Sequence, residues 1–239
     1  EEYGYSDEQS ITRSPLEGVE KSSALITETT TPFLAIEQNT TPEEEHHKEA
    51  GKGEKINVTT DVLDIVINTA GGTIEYVSLK KYPISKKDTD NKVVLLRKKE
   101  QNDFYLIQGG ALSKTNKITP DTIFSTDNKS YVLGNNENIS VPLYHVSEEG
   151  VSTTKIITFY KGQYVADVTY KIENQSQETW AGRVYAEIVR TKQKERESRF
   201  IYTYTGAVVS TPEQRYEKIS FDDIEDDNLE INAVNGWVA

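Results

Sequence analysis

The stretch TTKIITFYKGQYVADVTYKIE, residues 153–173, decides the fold class of this chain. In its second half every second position is apolar or aromatic, which is the pattern of a strand with one buried face. Its first half is rich in β-branched and aromatic residues, and Lys161-Gly162 can supply the positive φ of a tight hairpin turn. The stretch therefore predicts a β-hairpin. The recurring positions of its second half are Tyr164, Ala166, Val168, Tyr170 and Ile172.

Short strands of the same kind recur along residues 55–239. They are predicted at 56–59, 63–68, 73–79, 93–96, 104–107, 123–125, 131–133, 139–146, 180–189 and 200–209. The Gly71-Gly72 pair predicts a turn between two of them. Since proline cannot donate a backbone hydrogen bond, Pro142 places its strand at a sheet edge or a bulge. Many short strands joined by polar loops predict an all-β fold, which we assign to a large antiparallel sandwich.

One stretch carries the start signal of a helix. Thr211 can act as the N-cap, Pro212 suits the first helical position, and Gln214 can complete a capping box. We therefore predict a single short helix over 211–218.

The acidity of the chain is concentrated at its beginning. Residues 1–54 contain 13 acids and 4 bases, a charge of −9, whereas residues 55–239 contain 26 acids and 23 bases, a charge of −3. The composition of 1–54 predicts an acidic flexible linker, and residues 55–239 are expected to form the folded domain. Because that domain is nearly neutral, no nucleic-acid partner is expected.

The chain has no cysteine and no methionine, even at position 1. It is therefore interpreted as a piece of a longer protein. No apolar run approaches the roughly 18 to 20 residues that span a bilayer, so the piece itself is expected to be soluble.

Residues 55–239 offer little catalytic chemistry. Their single histidine, His145, has no identifiable partner for acid-base work, and no serine lies in a nucleophile elbow. The acidic run at 222–227 lacks the glycine and the spacing of a calcium loop. We predict no enzymatic activity, no cofactor and no metal site.

Two binding hypotheses remain open from the residues alone. Tyrosines at 160, 164, 170, 185, 202 and 204 could line a groove for a carbohydrate or a peptide, although packing on strand faces explains most of them. Basic clusters at 80–81, 86–87, 97–99 and 190–199 could meet anionic lipids or an acidic partner if several share a face. The candidate partner-contact residues are Arg190, Lys192, Lys194, Arg196 and Arg199.

Five motifs follow one another in a recognisable order. They are INVTTDVLDIVINTAGGTIEYVSLKKYP (56–83), YVL (131–133), VP (141–142), TKIITFYKGQYVADVTYKIEN (154–174), and STPEQRYEKISFDDIEDDNLEI with GWVA (210–231 and 236–239). In this order they resemble the large periplasmic domain of the bacterial YidC membrane protein insertases. The resemblance covers nearly all of residues 55–239.

The resemblance implies a β-supersandwich similar to the galactose-mutarotase fold, on the periplasmic side of the inner membrane of a Gram-negative bacterium. It also implies a parent protein that is membrane-integral, with 1–54 as the linker after a membrane helix that this chain lacks and with a domain that continues beyond residue 239. The expected role is that of a non-catalytic accessory domain, with Sec translocon components and nascent membrane proteins as partners. A carbohydrate- or peptide-binding module is the alternative.

Overall fold

The computed structural model describes residues 53–100, 103–114, 116–191, 204, 206–226 and 235–239. The predicted linker therefore lies outside the described residues except for Gly53 and Glu54. The predicted strand at 200–209 is described only at its end. Within the described residues the chain is nearly all strand, as predicted, and it carries one short helix.

The strands and the helix are numbered by their position along the chain. They are β1 (Lys55–Thr59), β2 (Leu63–Asn68), β3 (Thr73–Pro83), β4 (Lys92–Glu100), β5 (Asp103–Ser113), β6 (Lys117–Ile118), β7 (Ser130–Val132), β8 (Asn138–Val146), β9 (Val151–Tyr160), β10 (Ala166–Asn174), β11 (Gly182–Arg190), β12 (Gly206–Ser210), β13 (Glu217–Ser220), α1 (Phe221–Asp226) and β14 (Trp237–Val238).

The largest sheet has the strand order β11-β5-β4-β3-β2-β1-β7, with β6 added to β5. Its pairings are antiparallel apart from β1 with β7, which run parallel. β2 and β3 are joined at the predicted Gly71-Gly72 turn, where both glycines have positive φ. A side chain at Gly72 would also collide with Leu143, because its Cβ would lie 2.7 Å from that residue's Cδ1. The turn therefore fixes the hairpin and brings it close to the second sheet.

The second sheet has the order β10-β9-β8 and contains the predicted hairpin. Gly162 has φ of 70° at the turn, as the sequence indicates. The burial, however, lies mainly on β9, in which buried and half-buried residues alternate without a break, whereas β10 is largely exposed. β9 lies between two strands, whereas β10 pairs with β9 alone among the strands that the structure describes.

The core lies between these two sheets. Buried side chains of the large sheet, such as Ile56, Ile65 and Leu96, form one cluster with Val141, Leu143 and Ile157 of the second sheet. This arrangement is the sandwich expected from the sequence.

One local prediction is confirmed, and a second is confirmed only in part. Strand 139–146 is an edge strand, as Pro142 indicates, and it corresponds to β8. The predicted strand at 123–125 is reduced to isolated bridges from Ile123 to Ala70 and from Ser125 to Tyr144. The segment thus crosses between sheets and does not extend either of them.

The helix predicted over 211–218 lies further along the chain, at Phe221–Asp226. Thr211 does accept a hydrogen bond from the backbone N–H of Gln214 at 2.9 Å, but Tyr216 then adopts φ of 64°, which is incompatible with a continuing helix. Ser220 is the N-cap of α1. Its hydroxyl accepts a hydrogen bond from the N–H of Asp223, and the Asp223 carboxylate accepts one from the N–H of Ser220.

Candidate partner-contact site

One face of the large sheet carries two arginines on either side of a tyrosine. Tyr105 of β5 lies opposite Arg97 of β4 and opposite Arg190 of β11, so the three side chains share a face. The Arg190 guanidinium lies 5.2 Å from the centre of the Tyr105 ring, within cation–π range. We call these three residues the arginine–tyrosine row.

Backbone contacts at the end of β11 hold this row in place. The N–H of Thr191 donates to the carbonyl of Phe104 at 3.0 Å, and the N–H of Phe104 donates to the Thr191 hydroxyl at 3.2 Å. Arg97 is anchored separately, because its Nη2 donates to Oδ1 of Asp103 at 3.2 Å. Both guanidinium groups are therefore fixed relative to one sheet surface.

The row is suited to bind an acidic group. A guanidinium presents several N–H donors in one plane and can hold a carboxylate or a phosphate through two of them. The Nε of Arg97 is buried, without a hydrogen-bond partner among the described residues, so it is not a donor for an outside group. The sequence indicated the two basic clusters, and the structure shows that one residue of each lies beside the same ring.

The other basic residues lie apart from this row. Lys98 points to the opposite face and donates to the buried carboxylate of Glu75 at 2.8 Å. Lys80 donates to the carbonyl of Thr60 at 2.6 Å, and Lys86 and Lys87 lie in the exposed loop at the start of β4. The basic residues described in the clusters at 80–81, 86–87, 97–99 and 190–199 therefore do not form one basic face.

Arg190 is the one candidate contact residue that the structure describes. Its side chain is half-buried against Tyr105. The remaining candidates, Lys192, Lys194, Arg196 and Arg199, lie outside the described residues. Tyr105 was not among the candidates. Its place beside the two arginines depends on the pairing of β5 with β4 and with β11, and the sequence gives no sign of that pairing.

A second charged group lies in the core and was also missed. Lys155 of β9 is 3% exposed, and its Nζ donates to the carbonyls of Gly71, Gly72 and Gly109 at 2.8, 3.1 and 3.3 Å. It also lies 5.6 Å from the centre of the Tyr170 ring. The sequence pattern could have indicated that this side chain points inward, because position 155 falls on the buried face of β9.

Burial changes the protonation chemistry around Lys155. Desolvation lowers the pKa of its ammonium group to about 8, since water is lost and no carboxylate replaces it among the described contacts. Burial likewise raises the pKa of the neighbouring Tyr170, whose hydroxyl has no hydrogen-bond partner among the residues described. Lys155 joins the second sheet to the β2–β3 turn and to β5, which is a structural role.

The residues considered for catalysis and metal binding do not assemble into a site in the described part of the chain. His145 contacts the carbonyl of Ile123 at 3.2 Å through Nδ1 and packs edge-on against Phe124. Asp222 and Asp223 form the first turn of α1. Among the described residues no group of three histidine, cysteine or acidic side chains is placed to hold a metal ion.

The tyrosines do not converge on one groove among the residues described. Tyr170 packs against the core, Tyr164 stacks edge-on against Tyr82, and Tyr160 donates to Asp167 on the outer face. A hollow of about 520 Å³ lies instead at the loop after β10, beside Trp180. None of the described helices is long and apolar enough to cross a membrane.

Comparison with known proteins gives one consistent family. The family model described as the YidC periplasmic domain matches residues 55–239. The chain is 34% identical over 189 residues to the membrane protein insertase YidC of Methylococcus capsulatus, covering 77% of this chain and 34% of that protein. The same protein of Shewanella piezotolerans is 36% identical over 190 residues, covering 78% and 34%, and that of Shewanella loihica is 35% identical over 195 residues, covering 80% and 35%. The chain spans about a third of the length of these curated relatives.

Proposed function

Because the chain belongs to the family of YidC periplasmic domains, we propose that it acts as a non-catalytic accessory domain of a membrane protein insertase. The family is that of a periplasmic domain, borne by inner-membrane proteins of Gram-negative bacteria. The proposal is that this domain aids the insertion and folding of inner-membrane proteins through surface contacts with Sec translocon components or with the emerging substrate.

The observation that supports a surface role is the arginine–tyrosine row. The Arg97 guanidinium is paired with the Asp103 carboxylate. Arg190 instead rests on the Tyr105 ring, and no acidic side chain pairs with it among the described residues, so its guanidinium donors are suited to an acidic segment of another chain. An aromatic residue with flanking arginines is also the composition that contributes most at protein interfaces.

Site-specific photo-cross-linking in inner-membrane vesicles tests this role. A photoreactive residue at Ile188, which is exposed and lies two positions before Arg190 on the same face of β11, is expected to label a Sec component or a nascent membrane protein. The same residue at Ser140, on the outer face of the second sheet, serves as the matched control. Equal labelling from both positions, or none from position 188 during active insertion, would contradict the proposed contact surface.

The absence of catalysis is tested separately. Sugar mutarotation needs acid-base groups that act together, and His145 contacts a backbone carbonyl and a phenylalanine ring. The purified domain is expected to leave the rate of sugar anomer interconversion at its spontaneous value. A rate that rises with protein concentration and disappears in His145→Ala would overturn the non-catalytic assignment.

A second function is favoured by the hollow after β10. Its walls combine an indole ring with polar groups, which is the composition of many carbohydrate and peptide sites. Calorimetric titration with oligosaccharides and extended peptides distinguishes the two functions, since a binding module would give a saturable signal that Trp180→Ala removes. The hollow is lined by Ile172, Asn174, Ser176, Gln177, Glu178, Thr179 and Trp180.

A further inference from the structure

The end of β3 meets the turn between β9 and β10 through two tyrosine rings. The centres of the Tyr82 and Tyr164 rings lie 5.9 Å apart in an edge-to-face arrangement. Ile84 follows two positions after Tyr82, and its N–H still donates to the carbonyl of Asn91 at 2.9 Å, so its side chain lies on the same side of the chain as Tyr82. All three side chains are exposed, Tyr82 by 52% and Ile84 by 57%. We call Tyr82, Ile84 and Tyr164 the apolar corner.

Contacts with two neighbouring loops hold the apolar corner in place. Both carboxylate oxygens of Asp61, in the turn between β1 and β2, accept from the N–H of Gly162 at 2.9 and 3.1 Å. The N–H of Lys161 donates to the carbonyl of Glu137 at 2.9 Å. The turn that carries Tyr164 is therefore fixed against the large sheet. A surface that is already formed loses little conformational freedom when it binds.

Lysines surround the apolar corner. Residues 80–92 contain five bases and two acids, a charge of +3, within a folded part whose total charge is −3. Lys81, Lys86 and Lys87 are exposed, and none of them forms an ion pair in the described part of the chain. Their charges are therefore suited to an anionic partner.

We propose that the apolar corner docks on a bilayer surface that contains anionic lipids, with its tyrosine rings at the level of the headgroups and the lysines against the lipid phosphates. Tyrosine suits this depth because its ring is apolar and its hydroxyl is polar. Lysines near such a surface are attracted by its charge, and several together bind more strongly than one. The family supports this partner, because its domains are borne by inner-membrane proteins and face a lipid surface.

Docking on lipid is independent of the contacts proposed for the arginine–tyrosine row, so either can fail alone. Co-sedimentation of the full 239-residue chain with lipid vesicles at low salt tests it. Vesicles of phosphatidylglycerol and phosphatidylcholine in equal parts are expected to bind the chain at least about tenfold more tightly than vesicles of phosphatidylcholine alone. Salt at about 1 M should remove the difference, because charges are then screened beyond about 3 Å. Equal binding to both vesicles, or none to the mixed ones, would refute the docking.

Charge reversal tests whether the lysines of this corner make the contact. Lys86→Glu combined with Lys87→Glu is expected to raise the dissociation constant for the mixed vesicles about tenfold or more, because two attractions become repulsions. Lys114→Glu combined with Lys117→Glu is the matched control, since both lysines are exposed elsewhere and the net charge changes equally. Circular dichroism verifies that each variant is folded. Equal losses from the two double variants would overturn the assignment of the corner.

A tryptophan at position 84 reports the apolar contact directly. The fluorescence of Ile84→Trp is expected to shift to shorter wavelength with the mixed vesicles, because the indole leaves water. The native tryptophans at 180 and 237 are accounted for by subtracting the spectrum of the wild-type chain. Val132→Trp, at an exposed position of β7, is the control and should not shift. No shift at position 84, or an equal shift at 132, would contradict the docking.

An acidic protein segment is the competing partner, and polyglutamate is its probe. The wild-type chain is expected to bind the mixed vesicles and to be displaced from them only weakly by polyglutamate, which offers charge without an apolar layer. Binding to polyglutamate but not to vesicles, lost in the variant with Lys86→Glu and Lys87→Glu, would assign the corner to an acidic protein and overturn the proposal.

Discussion

Two buried charged groups in this sandwich are stabilised in different ways. Glu75 of β3 is 4% exposed, and its Oε1 accepts from the ammonium of Lys98 at 2.8 Å and from the amide of Asn68 at 2.9 Å. Lys155 of β9 is 3% exposed and is held by backbone carbonyls and a tyrosine ring. The first charge is balanced by an opposite charge, whereas the second is solvated by dipoles alone.

This difference predicts which of the two charged groups can be replaced by an uncharged residue without a large loss of stability. A buried carboxylate that loses its counter-charge must either stay charged in a medium that solvates it poorly or take up a proton, and the loss of the partner is strongly destabilising in both cases. A buried ammonium without a counter-charge leaves no opposite charge behind when it is removed. Stability is therefore expected to depend more on the partner of Glu75 than on the charge of Lys155 itself.

The largest effect is expected from Lys155→Glu. A carboxylate at this position would face three carbonyl oxygens that repel it, so the free energy of unfolding should fall by about 4 kcal/mol or more. Urea unfolding followed by circular dichroism measures the change. Lys155→Met, which keeps the volume, is the control and should stay within about 1 kcal/mol of wild type. A glutamate variant as stable as the methionine variant would show that the carbonyls are not the surroundings of this side chain.

A smaller loss is expected from Lys98→Met. It removes the ammonium while Glu75 remains buried, and Lys98 itself is partly exposed, so we expect a loss of about 2 to 3 kcal/mol. Adding Glu75→Gln should recover part of that loss, because the uncompensated charge is then gone. The exposed pair of Lys129 and Glu54 provides the comparison, and Lys129→Met should cost less than about 0.5 kcal/mol. Equal losses from both lysine variants would contradict the role of burial.

The pH dependence of stability isolates Lys155. Its folded pKa of about 8 lies below the ordinary value of 10.5, so below pH 8 the ammonium is charged in both states and its burial cost is fully present. As the pH rises above 8 the folded state loses this proton first, and the free energy of unfolding should rise by about 2 kcal/mol from pH 7 to pH 9.5. The same titration of Lys155→Met should lack this rise.

The upper limit of pH 9.5 avoids a counteracting effect. Burial raises the pKa of Tyr170 and Tyr185, and such tyrosines lower stability at higher pH because they ionise first in the unfolded chain. Urea midpoints of both proteins across this pH window provide the measurement. A wild-type profile that is flat or falls with pH would show that the ammonium is well solvated in the fold.

The smallest effect is expected from Tyr170→Phe. In the described part of the chain the buried Tyr170 hydroxyl has no hydrogen-bond partner, so its removal relieves an unsatisfied group and leaves the ring beside Lys155. Stability should be unchanged or should rise by up to about 1 kcal/mol. A loss above about 2 kcal/mol in urea unfolding would mean that the hydroxyl has a partner in solution, such as an ordered water molecule.

Strand identity and the hairpin turns were predictable because they depend on local chemistry. Alternation along 151–173 reports which side chains share a face, and glycine at 71, 72 and 162 supplies positive φ where tight turns require it. The helix lies later in the chain than predicted because two capping residues, Thr211 and Ser220, lie close together and only Ser220 begins a helix. The bond from Gln214 to Thr211 closes a turn in either case, and the backbone of Tyr216 decides that no helix follows it.

The arginine–tyrosine row shows the limit of such predictions. Arg190 was named from charge alone, and Arg97 was one member of a separate basic cluster. Their common neighbour Tyr105 follows from the pairing of β5 with β4 and with β11, and Tyr105 lies 85 positions before its β11 partner Arg190. Sequence spacing carries no information about which distant strands become neighbours.

An all-β chain with a nearly neutral folded part, its turns, its edge proline and its family can all be inferred from the sequence. The places of Lys155 among three carbonyls and of Tyr105 between Arg97 and Arg190 appear only in the folded structure. Alternation and turn chemistry act between neighbours along the chain, so a sequence pattern reports them. The solvation of a buried charge and the neighbours of a side chain across a sheet depend on distant strands, whose backbone groups every residue type carries alike.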